Sequence, residues 1–348
     1  MQHVMRKIGG TFMEKQSKKV LVTGGTGFLA GWTIRKLLEK GYDVRTTVRS
    51  EKKIAAVQDM LTTEGVNIAN LSFAFADLTK ADGWKEAMEG IDYVLHIASP
   101  LGGNNQEDPS LIQTAKSGVE NVIRAAIDAG VKKIVMTSSE AACYPGRKYK
   151  KPTADESFWT DVNNKEITNY MRSKIIAEQT AWELIRGQNH TKLVTILPGA
   201  ILGPYMSGKR SSTDQIFEML LKGTPSPNVV YSVSDVRDLA ELHILAMENP
   251  AADGQRFLAH GEDMTMPEMA RILKAQYPDR KIKTSVVPDF LVHIMARTNT
   301  AMKILNTMVG MKYRLDSSKA RKVLGWNPRP ARQTVLDSAK YMIINNIV

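Results

Sequence analysis

Thr23-Gly24-Gly25-Thr26-Gly27-Phe28-Leu29-Ala30-Gly31 decides how the rest of the chain is read. It follows Lys19-Val20-Leu21-Val22, an apolar run of strand character, and opens the amphipathic stretch Phe28 to Glu39, which Gly41 ends. Between a strand and a helix such a loop has a definite use. Gly24 permits the tight turn, Gly27 lets the backbone approach a pyrophosphate, and Ala30 is small enough for close helix–strand packing. The helix N-terminus adds free N–H groups and a partial positive charge. A bare glycine pattern means little, but in this context it points to a dinucleotide site. The spacing is G-x-x-G-x-x-A rather than G-x-G-x-x-G.

Outward from the loop, strand and helix patterns alternate. Val44 to Val48, Leu71 to Phe75, Tyr93 to Ala98, Lys133 to Thr137 and Leu193 to Leu197 read as strands. Glu51 to Leu61, Trp84 to Met88, Leu111 to Ala129 and Lys165 to Arg186 read as helices. Strict alternation implies right-handed crossovers and a parallel sheet covered on both faces. The expected fold is therefore α/β: a Rossmann-type doubly wound parallel sheet with a smaller, mostly helical C-terminal substrate lobe. The dinucleotide domain is expected over 18–198 and the lobe over 199–348, with 228–248 returning to the first domain. Residues 1–17 are expected to form a disordered leader, with Met13 an alternative start.

The 348 residues carry 43% hydrophobic and 24% charged side chains, which excludes a disordered, collagen-like or disulfide-scaffold protein. No apolar run reaches the length of a transmembrane helix, about eighteen residues, so no membrane association is expected. The single cysteine, Cys143, cannot form an internal disulfide, which fits a reducing cytoplasm. The net charge of +11 comes partly from Arg6, Lys7, Lys15, Lys18 and Lys19, and a second cluster spans Arg147 to Lys151. Neither is interleaved with stacking aromatics, so nucleic acid is not an expected partner. The six histidines are scattered and no metal-ligand spacing occurs, so no metal is expected.

The end of the second strand distinguishes the cofactors. An NAD site places an acid there, about 20 residues beyond the glycines, to bind the ribose 2′-hydroxyl. Here Val48 occupies that position and Arg49 follows, with Lys52 and Lys53 nearby. A guanidinium can pair with a 2′-phosphate and stack on adenine, so NADP(H) is expected.

Tyr170-Met171-Arg172-Ser173-Lys174 supplies the chemistry. A separation of four puts Tyr170 and Lys174 on one helix face. Thr137-Ser138-Ser139 lies at the C-terminal end of the preceding strand, the edge where ligands bind in open α/β sheets. These residues suit carbonyl reduction. The Tyr170 hydroxyl is the proton donor, and the Lys174 ammonium is expected to lower the tyrosine pKa and hold the nicotinamide ribose. Ser139 is expected to hydrogen-bond the substrate oxygen.

These segments resemble the extended short-chain dehydrogenases/reductases, within the NAD-dependent epimerase/dehydratase superfamily. The closest likeness is to the dihydroflavonol 4-reductase, cinnamoyl-CoA reductase and aldehyde reductase branch. The resemblance runs from Val20 to about Lys340. It is carried also by Ala76-Asp77-Leu78, Leu95-His96-Ile97-Ala98-Ser99-Pro100, Ala177-Glu178, Leu197-Pro198-Gly199-Ala200-Ile201-Leu202-Gly203-Pro204, Asp235-Val236-Arg237-Asp238-Leu239-Ala240 and Leu324-Gly325-Trp326.

The resemblance implies further roles. Gly24, Thr26, Gly27, Phe28 and Leu29 would hold the cofactor, Arg49 and Lys53 would meet the 2′-phosphate, and Asp77 and Leu78 would contact adenine. Ile97, Ala98 and Ser99 would line the cofactor. Pro198 would shape the nicotinamide pocket, with Ile201 beside it, and Ser211 or Ser212 would reach in from the C-terminal lobe. Ser139, rather than Ser138, matches the catalytic serine. Tyr144 stands where plant flavonoid reductases carry a substrate-contacting asparagine, which argues for a smaller aldehyde or ketone. Substrate contacts are thus expected from Ser139, Tyr144 and Tyr170, and the protein is expected to be a monomer or homodimer. Two alternatives are an NAD-dependent sugar-nucleotide epimerase or dehydratase, which Val48 and Arg49 oppose, and a non-catalytic NADP-binding regulator, which the retained Ser139, Tyr170 and Lys174 oppose.

Overall fold

A computed structural model describes residues 18–100, 105–146, 149–206, 213–297, 305–306, 308–311 and 313–348. The leader expected over 1–17 lies outside the described residues.

The first half alternates as its pattern predicts. The elements are β1 (Lys19–Val22), α1 (Phe28–Glu39), β2 (Asp43–Val48), α2 (Glu51–Thr63), β3 (Leu71–Phe75), α3 (Trp84–Met88), β4 (Tyr93–His96), α4 (Ser110–Asp128) and β5 (Lys133–Thr137). Then follow β6 (Thr153–Ala154), α5 (Asn169–Ile185), β7 (Lys192–Pro198), β8 (Ala200–Leu202), α6 (Asp214–Leu221), β9 (Ser226–Pro227), β10 (Val230–Asp235), α7 (Val236–Glu248), β11 (Arg256–Ala259) and β12 (Glu262–Thr265). The chain ends through α8 (Met266–Gln276), β13 (Val286–Val287), α9 (Asp289–Met295), β14 (Arg314–Leu315), α10 (Ser318–Leu324) and α11 (Ala331–Ile344).

Seven parallel strands form the central sheet in the order β11-β7-β5-β4-β1-β2-β3. This is a doubly wound sheet whose order reverses between β1 and β4. Its central strands are buried on both faces, so β5 reads Lys-Ile-Val-Met-Thr without a solvent-facing position. One face packs on α1, α2 and α7, through Leu29, Ile34, Leu37, Val57, Leu61, Leu239 and Leu242. The other packs on α3, α4 and α5, through Trp84, Met88, Val119, Val122, Ile123, Ala177 and Ala181. A separate core in the C-terminal lobe joins α6, α8 and α11 to the small sheet β12-β10-β8.

The chain after Pro198 is shared between these two bodies. Helix α7 covers the main sheet, and β11 extends that sheet beside β7 in parallel. Strand β11 has only the four residues Arg256-Phe257-Leu258-Ala259, too few for a period to register, and its place is set by pairing to Thr195–Pro198. Helix α5 starts at Asn169 rather than Lys165. Thr168 Oγ1 accepts the Met171 N–H and caps it there. Among the described residues, no helix is long and apolar enough to cross a membrane, and no group of three or more His, Cys, Asp or Glu could hold a metal ion.

Candidate active site

At the reversal point of the sheet the first turns after β1 and β4 diverge, leaving a cleft along the strands' carboxyl ends. Its volume is about 570 Å³. The loop after β1 forms its floor. Gly24 has φ +74°, and a Cβ there would stand 2.9 Å from Ala98 Cβ. A Cβ on Gly25 would overlap the Thr46 side chain. Neither position has room for a side chain, which holds the loop tight against the strands, and Gly24 and Gly27 line the cleft. The Gly24 N–H donates to Thr47 Oγ1 at 2.9 Å. Gly27 caps α1 without a side-chain hydrogen bond, so no side chain blocks that N-terminus.

Thr23 fixes the facing wall. Its Oγ1 accepts the Ile97 and Ala98 N–H groups at 3.0 and 2.9 Å, which occupies both lone pairs. Its own proton therefore goes to His96 Nδ1, 3.0 Å away. His96 is then neutral, with its proton on Nε2, and burial followed by the Lys174 charge pushes its pKa down to about 3. Thr23 and Thr47, neither in the expected contact set, order the cleft, and Thr47 also lines it. Their signal in the sequence is a hydroxyl at each strand end beside the glycine loop.

Strand order separates the two ends of the cleft. On the β2 and β3 side stand Arg49, Lys53, Asp77 and Leu78. Arg49 is exposed and available to a ligand. Asp77 accepts the Thr79 N–H and hydroxyl at 2.9 and 2.8 Å, which hold its carboxyl below the usual range, with Arg49 assisting. On the β5 and β7 side stand Ser139, Tyr170, Lys174, Pro198 and Ile201. Gly24, Thr26, Gly27, Phe28, Leu29, Ile97, Ala98 and Ser99 line the cleft between them. Ser211 and Ser212 lie outside the described residues.

Helix α5 carries Tyr170 and Lys174 into the site. The Tyr170 N–H donates to Gln106 O at 2.8 Å and Asn169 Nδ2 to Glu107 O at 2.8 Å, which pins the first turn. Lys174 Nζ donates to Ser99 Oγ at 2.8 Å and stands 5.7 Å from the Tyr170 ring centre. Burial pushes the Lys174 pKa down to about 8. Tyr170 departs from the sequence expectation. Burial, then the neighbouring Glu140 carboxyl, pushes its pKa up to about 12 in the ligand-free protein, not down. The phenol therefore holds its proton firmly at neutral pH.

Ser138 and Ser139 are told apart by their bonds. Ser138 Oγ donates to Glu178 Oε2 at 2.7 Å and is committed to the interior. Ser139 Oγ accepts the Ala141 N–H at 3.2 Å as the cap of a short 3₁₀ turn, which leaves its own proton free to be donated into the cleft.

Tyr144 is not part of the cleft lining. Its ring is buried and packs edge-on against Tyr313, with centroids 6.3 Å apart, and its N–H donates to Thr160 Oγ1 at 2.6 Å. Gly199 and Ala200, quoted above in the Leu197–Pro204 motif without a site role, also line the cleft, as does Thr213, which no motif included. Cys143 is buried, its Sγ donates to Asp155 O at 2.8 Å, and burial pushes its pKa up to about 12, so it is an inert thiol.

Comparison with known proteins places this arrangement. Residues 20–259 match the NAD dependent epimerase/dehydratase family. A dihydroflavonol 4-reductase from Gerbera hybrida is 30% identical over 315 residues, which are 87% of this chain and 85% of that protein. Cinnamoyl-CoA reductase 1 from Oryza sativa subsp. japonica is 34% identical over 273 residues, 76% of this chain and 77% of that protein. Among solved structures, Gre2 from Candida albicans, determined in complex with NADPH, superposes with a TM-score of 0.79 at 27% identity. That likeness covers 94% of this chain and 99% of Gre2.

Proposed function

The chain belongs to the NAD dependent epimerase/dehydratase family, and from that premise we propose that it is an NADP-dependent oxidoreductase that reduces the carbonyl group of a small aldehyde or ketone. The observation that carries this reading is the single cleft that brings Ser139, Tyr170 and Lys174 to one end and Arg49 to the other. The cradle fits NADP(H). Gly24 and Gly27, which line the cleft without side chains, leave backbone at the α1 N-terminus for a pyrophosphate, and Ile97, Ala98 and Ser99 stand opposite. When bound, the reduced cofactor would supply hydride to the carbonyl carbon.

The chain's own residues do the rest. Ser139 hydrogen-bonds the carbonyl oxygen through its hydroxyl, keeping its proton, and stabilises the charge that develops there. Tyr170 gives its proton to that oxygen as the hydroxyl product forms. Lys174, a buried cation beside the phenol ring, offsets the negative charge left on Tyr170, and it would also hold the cofactor ribose. Relatives named for dihydroflavonol and cinnamoyl-CoA reduction support a carbonyl as the reacting group.

The family name also covers epimerases, but Val48 is buried and apolar where an NAD site would present an acid to the ribose. Arg49 beside it is the group suited to a 2′-phosphate. Arg49→Ala is therefore expected to raise KM for NADPH by about 10- to 100-fold and leave KM for NADH within about threefold, since a lost charge-assisted phosphate contact acts on one cofactor alone. Initial rates with each cofactor measure this. An equal loss with both would remove Arg49 from cofactor choice.

A further inference from the structure

We propose that Glu178 is a positioning residue for the reaction: through Ser138 it holds the backbone that bears Ser139 in fixed relation to the helix that bears Tyr170 and Lys174. The inference rests on the reductase reading above. Glu178 follows Lys174 by four residues, on the same face of α5, and its side chain is 0% exposed. Oε1 accepts from Thr195 Oγ1 at 2.7 Å, Arg256 Nε at 2.8 Å and Trp182 Nε1 at 3.3 Å. Oε2 accepts from Ser138 Oγ at 2.7 Å and Arg256 Nη2 at 3.3 Å.

The placement of these donors matters more than their number. Thr195 lies on β7, three residues before Pro198, and Ser138 directly follows β5, immediately before Ser139. Arg256, on β11, reaches across the same gap. Its Nη2 donates to Ala142 O at 3.3 Å and its Nη1 to Glu156 O and Phe158 O at 2.6 and 2.8 Å. Its guanidinium lies 3.6 Å from the centre of the Trp159 ring. Ser139 thus sits between two grips of one buried ion pair, Ser138 on one side and the Ala142 carbonyl on the other. The Ser138 N–H donates to Ile196 O at 2.7 Å, which leaves the chain beyond it to side-chain contacts and the short turn, and a displacement of about 1 Å can cost two orders of magnitude in rate. The pair adds side-chain and carbonyl grips to that backbone bond and ties them to α5.

Removing one grip tests this without breaking the ion pair. Ser138→Ala deletes the bond to Glu178 and leaves Arg256–Glu178 intact. Trp182→Phe removes another donor to the same carboxylate, one that leads to no reacting group. We expect Ser138→Ala to lower kcat by about tenfold or more, with the NADPH Kd from fluorescence titration within about twofold of wild type. Trp182→Phe should keep kcat within about twofold while lowering the thermal midpoint at least as much. Ser138→Thr, which keeps the hydroxyl, should restore most of the rate. A Ser138→Ala kcat within twofold of wild type overturns the proposal. So does an equal kcat loss in Trp182→Phe, no recovery in Ser138→Thr, or a Ser138→Ala chain that does not fold, since the hydroxyl is then a requirement of the core. Absence of turnover in the wild type overturns the reductase reading and this proposal with it. Turnover in the wild type with an unaffected Ser138→Ala overturns this proposal alone.

Discussion

Tyr170→Phe is expected to reduce kcat by about three orders of magnitude, the middle of the range for a lost general acid. The substitution removes one oxygen and keeps the ring, and the backbone bond from residue 170 to Gln106 O is untouched. Cofactor binding should hold, with the NADPH Kd within about twofold of wild type. Ser139 also carries a hydroxyl proton, but an aliphatic alcohol is a far weaker acid than a phenol. The pKa of Tyr170, pushed up to about 12 by burial and then by Glu140, means the phenol is fully protonated at neutral pH. That state suits the reducing direction and opposes the oxidising one. Steady-state rates at pH 7 with NADPH and a responsive carbonyl substrate check the prediction, and a loss of less than tenfold would remove Tyr170 from the proton-donor role.

Replacing Lys174 by Met is expected to lower turnover by about 100-fold or more and, at the same time, to stabilise the ligand-free protein at pH 7. Lys174 is 5% exposed, and burial pushes its pKa from the ordinary 10.5 down to about 8. The sign follows from linkage. A depressed lysine pKa means the unfolded chain binds the proton more tightly. The fold therefore carries a cost that is complete below about pH 8 and absent above the unfolded value. Two and a half pKa units correspond to about 3 kcal/mol, and loss of the bond to Ser99 Oγ takes back about 1 kcal/mol. A rise in thermal midpoint of a few degrees at pH 7, shrinking toward pH 10, is the expected result. A lower midpoint at pH 7 would show that Lys174 supports the fold rather than straining it.

Legibility in the sequence followed the range of the interactions. The glycine loop, Val48-Arg49 and the Tyr170–Lys174 spacing act over a few residues, and the structure brings them to one cleft. Strand β11 was invisible because four residues carry no period and its pairing partner lies some sixty positions earlier. The Ser138–Glu178–Arg256 cluster spans separations of 40 and 78 residues, which no local pattern encodes. Tyr144 was placed by counting from Ser139, but the 3₁₀ turn Glu140–Cys143 carries it into an aromatic cluster. The direction of the Tyr170 shift was missed for a similar reason. Spacing shows that an ammonium is near, whereas burial and the Glu140 carboxyl depend on the whole fold.

The most direct test of the central claim is consumption of NADPH by the wild-type protein, followed by nicotinamide absorbance, against a panel of aldehydes and ketones. Saturable consumption matched mole for mole by the corresponding alcohol is the predicted result. NADPH that binds tightly yet is spared by every carbonyl, or protein that purifies with NAD⁺ locked in the cleft, would contradict the account.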